Sequence, residues 1–158
     1  MKIETRIIRI EAELAIRNVI ARYGLAADCG DIAVALACHT EGAVYVVSNP
    51  HAGRDGEAGD LELKGHQAIA DMLSSDMHQS LLPDCGHTVG PLLVEVEGES
   101  AKVTGYSRVY YKQKLMRLAV NHWTMRVDNE EWKIARRVSR VIGEEAAQKL
   151  LRESLNGV

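Results

Sequence analysis

The sequence contains no phenylalanine. With 158 residues, 46% of them hydrophobic, it can still bury a real core, but leucine, isoleucine, valine, methionine and alanine must fill it. Two Trp and five Tyr are the only large rings. Cysteine is scarce and odd in number. Cys29, Cys38 and Cys85 include no C-x-x-C pair, which excludes a disulfide framework or a zinc ribbon and leaves reduced thiols. There is no excess of positive charge, the balance being 19 − 22 = −3, and the basic residues are scattered. A nucleic-acid binder needs a concentrated positive face, so none is expected here. No apolar run approaches the ~18 residues of a membrane span. The opening "MKIETRIIRIEAELAIRN" interleaves charge with apolar residues and lacks the core of a signal peptide, so the expected location is the cytoplasm. The histidines at 39, 51, 66, 78, 87 and 122 show neither H-E-x-x-H nor close His-x-His spacing, so no metal is expected. No repeat, low-complexity tract or Pro-rich linker divides the chain, which implies one domain.

What is present divides into helices first and strands later. Residues 4 to 28 read as one long helix, with Ile8, Leu14 or Ala15, Ile16, Ile20, Tyr23 and Ala27 at three- and four-residue spacing. Gly30 suits a helix C-cap and Asp31 an N-cap, so "GDIAVALACH" reads as a short second helix. "GAVYVVS" is a β-branched strand, and residues 49–60, rich in Gly and charge, form an exposed loop. "HQAIADMLSSDMHQSLL" gives a third helix. Four strand-like segments follow from Cys85 onward, and their short polar connections, "EGES" and "DNEE" among them, imply antiparallel neighbours. The fold class is therefore α+β, with a domain over residues 1–143 and a helical tail over 144–158, whose stripe is Ala147, Leu150 or Leu151, and Leu155.

Asp-Cys-Gly occurs twice, in "AADCGD" and in "LPDCGHT". Asp28, from the first, falls at the end of the long helix, where the helix dipole disfavours a negative charge unless a cation lies opposite. His87, just after the second, opens the first long strand. Taken singly, Asp28 is also compatible with a solvated turn residue and His87 with a surface histidine. Together, a carboxylate facing an imidazole fixes its tautomer and raises its basicity, the arrangement of a general base. Cys85 lies two residues from His87, on the same face of a strand, which suits pocket lining better than a nucleophile without an oxyanion hole. In "WKIARRVSRV", Trp132, Ile134 and Val138 alternate with polar residues, so period two puts Arg136 and Arg140 on the inward face. An inward arginine needs an anion, from protein or substrate. Tyr23 lies about 140° around the helix from Asp28, so the two can border one cavity without stacking.

The order of these motifs resembles the SnoaL-like branch of the nuclear transport factor 2 superfamily. Tyr23 and Asp28 match its Y-x-x-x-x-D helix end, and Gly65, His66 and Ile69 its G-H-x-x-I helix start. Cys85 to His87 match its C-G-H strand start, and "WKIARR" its last strand. The resemblance implies a cone-shaped fold, in which a strongly curved, mostly antiparallel sheet wraps the N-terminal helices and encloses an apolar pocket. Hexachlorocyclohexane dehydrochlorinase, bile-acid dehydratase and scytalone dehydratase are the enzymes it implies. By that likeness Asp28 and His87 are the catalytic pair, and Tyr23, Cys85, Trp123 and Arg136 contact a small hydrophobic, cyclic substrate. The implied activity is a lyase or isomerase without cofactor. A polyketide cyclase, or a non-catalytic binding or assembly subunit as in ring-hydroxylating dioxygenases, remains open. A homodimer, with a homotrimer next, is expected from the apolar outer face of such a sheet.

Overall fold

The computed structural model describes residues 2–48 and 59–156. Helix α1 spans Ile3–Cys29 and buries Ala12, Ile16, Ile20, Tyr23 and Ala27 on one face. Ile8, placed by periodicity on that stripe, is instead exposed, because the helix contributes no buried residue before Ala12; of the alternatives Leu14 and Ala15, Leu14 is exposed and Ala15 half-buried. Gly30 ends α1 in the left-handed conformation at φ 76°, which costs a residue without Cβ nothing. Its neighbour Asp31 then caps α2 (Ile32–Ala37) by accepting from the Val34 N–H at 3.0 Å.

Strand β1 (His39–Ser48) follows, and then β2 (Asp60–Lys64). Most of the expected loop 49–60 lies outside the described residues, but Asp60 already belongs to a strand, and the apolar–polar alternation of "DLELK" carries it on. The third expected helix is broken in two, α3 (Gly65–Ser74) and α4 (Asp76–Gln79). Ser75 adopts extended backbone between them, and its hydroxyl caps α4 by accepting from the His78 N–H.

Four long strands complete the sheet: β3 (Cys85–Glu97), β4 (Ser100–Tyr111), β5 (Lys114–Asp128) and β6 (Glu131–Val141). Their order is β2-β1-β6-β5-β4-β3, all antiparallel except the β1–β6 pair. Register shifts interrupt β3–β4 between Val89 and Leu92, β4–β5 between Val109 and Tyr110, and β5–β6 between Thr124 and Met125. Each shift bends and twists its strand, which curls the sheet around α1 and α3. At the first of them Gly105 is required, since a Cβ there would lie 2.6 Å from the Pro91 carbonyl oxygen.

The core lies between the helices and the concave face, built from Ile16, Ile20, Ile69, Val103, Trp123, Met125 and Ile134. Helix α5 (Glu145–Leu155) packs against β5 and β6, burying Ala147 and Ser154. Leu155, expected on its apolar stripe, is exposed, and Ser154 takes its place through hydrogen bonding with Thr104 at 3.0 Å. No helix among the described residues is long and apolar enough to cross a membrane.

Candidate active site

The end of α1 and the beginning of β3 meet at Asp28. One carboxylate oxygen, Oδ2, accepts the His87 backbone N–H at 2.8 Å, and the other, Oδ1, faces His87 Nδ1 at 2.5 Å. A carboxylate that holds both the backbone and the ring of one residue fixes the imidazole in place. The acceptor at Oδ1 requires the proton on Nδ1, which leaves the Nε2 lone pair free. Among the described residues Nε2 has no hydrogen-bond partner, and His87 lines a cavity of about 210 Å³. Asp28 sits behind the ring, outside that lining. Gly24, one turn before Asp28, packs beside the His87 backbone, where an added Cβ would make ordinary contact at 3.5 Å.

His78 shares the cavity wall, its ring centroid 6.4 Å from that of His87. Its Nε2 donates to the Ala27 carbonyl at 3.2 Å. Met72, Leu73 and Leu81 supply apolar walls around these two rings. Tyr23 and Tyr45 both face the same space, edge to face, with centroids 5.9 Å apart. Burial pushes both phenols up, above all Tyr45, against the opposing influence of Arg137, so both stay protonated at neutral pH. The Tyr45 hydroxyl donates to Nε2 of the buried His39, whose Nδ1–H donates to the Ala35 carbonyl. Burial lowers His39 to about 4, so that ring is a neutral structural element.

The last strand brings a correction. Arg136 is exposed, and Arg137 lines the cavity instead. In the β5–β6 ladder Met125 pairs with Ile134, but Thr124 pairs with Arg136, so Ala135 is an extra residue. One inserted residue reverses the alternation beyond it, and the inward set becomes Ile134, Arg137 and Ser139. Arg140, expected inward by the same alternation, pairs with Asp60 at 2.5 Å. Arg137 donates from Nε to Asn121 Oδ1 at 2.9 Å, and its guanidinium lies 5.4 Å from the Tyr45 ring centroid and 5.7 Å from that of Trp123. Trp123 itself is 1% exposed and does not line the cavity; it supports Arg137 from within the core. Cys85 likewise stands outside the lining, its Sγ 3.9 Å from His87 Nδ1. Burial and the nearby Asp28 push its thiol up, contrary to the needs of a nucleophile.

Asp28, Cys85 and His87 place one donor atom each within 4.8 Å of one another, a convergence invisible in the spacing of the sequence. In this arrangement Nδ1 and Oδ1 stand at hydrogen-bond distance, closer than two ligands ~2 Å from one tetrahedral ion, so the pair is joined by a hydrogen bond. Sequence reasoning also missed Arg117 and Ser139, both on the cavity wall. For Arg117 the available signal is a lone charge between Met116 and Leu118 in a strand. For Ser139 there is none.

A SnoaL-like domain model matches residues 9–138. No curated protein matches the chain. Among solved structures, an NTF2-like protein with a cystatin-like fold from Novosphingobium aromaticivorans is 32% identical, superposes with a TM-score of 0.81, and is matched over 94% of each chain. A candidate scytalone dehydratase from the same organism has a TM-score of 0.68 at 14% identity, covering 89% of this chain and 88% of its own. Hexachlorocyclohexane dehydrochlorinase LinA-type3 from Novosphingobium barchaimii has a TM-score of 0.66 at 15% identity, covering 85% and 88%. The last two likenesses are of fold alone. With its six-stranded curved sheet around N-terminal helices and a family match over most of its length, the chain belongs to the SnoaL-like domain family.

Proposed function

We propose that the protein is a lyase or isomerase that needs no cofactor and in which His87, oriented by Asp28, removes a proton from a carbon of a small hydrophobic, cyclic substrate. The observation that carries this reading is the two-point grip of Asp28 on His87, which leaves Nε2 as an unpaired base on an apolar cavity. A proton leaves the carbon next to a ring carbonyl and binds Nε2, and the C–H electron pair moves toward the carbonyl oxygen. The protonated Tyr23, on the wall of the same cavity, stabilises the charge developing there. Collapse of the enolate expels hydroxide or halide from the adjacent carbon, forming C=C, and the proton on His87 can accompany a departing hydroxide as water. Return of the proton to another carbon gives isomerisation instead. The dehydrochlorinase and dehydratase folds among the structural neighbours support elimination as the reaction class.

The test is deuterium exchange into six-membered cyclic ketones in D2O, followed by mass spectrometry, with β-hydroxy ketones included to detect water loss. Exchange by the wild type that disappears in His87→Ala is the expected result. Equal exchange in the two proteins across the panel would sink the proposal.

A further inference from the structure

The wall of the cavity away from the dyad is more polar and more positive than proton abstraction requires. Arg117 and Arg137 both line it, and among the described residues neither forms an ion pair. Arg137 spends only Nε, on the neutral Asn121, which is itself held by donating to Ser107 Oγ at 2.7 Å. Among the described residues Arg117 reaches only the Ser48 carbonyl, at 3.5 Å. Glu144 accepts from Ser48 Oγ at 2.5 Å and acts on Arg117 from beyond contact. Among the described residues, two guanidiniums less this carboxylate leave one positive charge. Burial and the proximity of Arg137 both disfavour the charge on Arg117, so the pair is unfavourable with nothing between them.

An independent observation points the same way. Ser139 is 1% exposed, lines the cavity, and its Oγ has no hydrogen-bond partner. Buried hydroxyls are nearly always paired, and an orphan beside a cavity signals a missing acceptor or donor. We propose that this end of the cavity is a carboxylate-binding subsite built from Arg117, Arg137 and Ser139, and that the substrate is a single ring bearing a carboxylate. The identification as substrate rests on the cavity being the reaction site described above.

The charge selects a monoanion over a dianion, and the guanidinium fork takes a carboxylate through two parallel hydrogen bonds. Register fixes the relation to the base. His87 pairs with Val109 and Val109 with Arg117, so the two residues stand two strand spacings apart, ~10 Å, on one wall. A cavity of about 210 Å³ is below the ~300 Å³ at which pockets for drug-sized ligands begin, which limits the occupant to about one ring. Anchored by its carboxylate, such a ring presents a carbon to Nε2.

The experiment titrates benzoate and cyclohexanecarboxylate against their primary amides, by calorimetry, into the wild type, Arg117→Gln, Ser139→Ala and Asp28→Asn. The acids are expected to bind the wild type at least about tenfold more tightly than the amides. Arg117→Gln should lose about ten- to a hundredfold of acid affinity with amide affinity unchanged, and Ser139→Ala a smaller factor in the same direction. The acid-over-amide preference should survive in Asp28→Asn, which separates this subsite from the proton-transfer reading. Equal binding of acid and amide by the wild type overturns the proposal, and that comparison depends on no variant folding. So does a preference that Arg117→Gln leaves intact.

Discussion

Replacing Asp28 by Asn exchanges one oxygen for an NH2 at a position where both oxygens are used. The amide oxygen can keep the His87 backbone N–H, now at 2.8 Å from Oδ2, but the NH2 then faces Nδ1 across the 2.5 Å contact. Two donors cannot share that line, so the imidazole proton moves to Nε2, the atom that must accept from substrate. General-base catalysis contributes about 10²–10⁴-fold, and deuterium exchange into a reactive cyclic ketone should slow by that factor. The stability loss is smaller. A hydrogen bond to a charged group contributes about 1.5–3 kcal/mol and a neutral one about 0.5–1.5 kcal/mol, and both bonds persist in the variant as neutral ones, so about 1–2 kcal/mol is expected. That corresponds to roughly 3–6 °C in Tm for a domain of this size. Long-range proton–nitrogen NMR of the imidazole reads the tautomer directly: Nδ1–H in the wild type, Nε2–H in the variant. If the variant keeps the Nδ1–H tautomer, or changes tautomer while exchange continues undiminished, the dyad is not the base and the reasoning is refuted.

The bulge at Ala135 predicts opposite fates for adjacent arginines: Arg136→Ala should stay within about 0.5 kcal/mol of wild-type stability with benzoate affinity unaltered, while Arg137→Ala should lose most of that affinity. Equal effects in urea melts and benzoate titrations would argue against the inward placement of Arg137. His39 gives a pH dependence. Its folded imidazole takes a proton only near 4, against 6.5 in the unfolded chain, so the unfolded state binds more protons in that window and stability falls as pH drops through it. At about 1.4 kcal/mol per pH unit the loss by pH 4 is about 3 kcal/mol; His122, also lowered by burial, adds in the same direction. Urea midpoints from pH 4 to 7 should flatten, though not level, in His39→Gln, and an unchanged slope would remove His39 as a cause. Gly105→Ala should cost about 1–3 kcal/mol, because its Cβ meets a backbone carbonyl that cannot swing away. Gly42→Ala, with nothing within 4 Å of the added carbon, is the control that should show no such loss.

Local chemistry wrote much of this fold into the sequence. The long first helix, its stop at Gly30, the restart at Asp31 and the strands from Cys85 onward depend on periodicity and caps that act over a few residues. Asp28 and His87 were visible as candidates for the same reason: each marks the boundary of an element, and boundaries are local. Their contact, across 59 positions of sequence, is not local and exists only because α1 lies along β3. The tertiary structure also decided which arginine faces the cavity. Period two identifies an inward face only while every residue is paired, and a single unpaired Ala135 turns Arg136 outward and Arg137 in. Nothing in "WKIARRVSRV" marks that insertion, because a bulge is stabilised by how the sheet bends around its helices rather than by the residue that forms it. Trp123 and Leu155 differ for a related reason: amphipathic pattern names the side chains that can be buried, and the curvature of the sheet chooses which of them meet the core, the cavity or solvent.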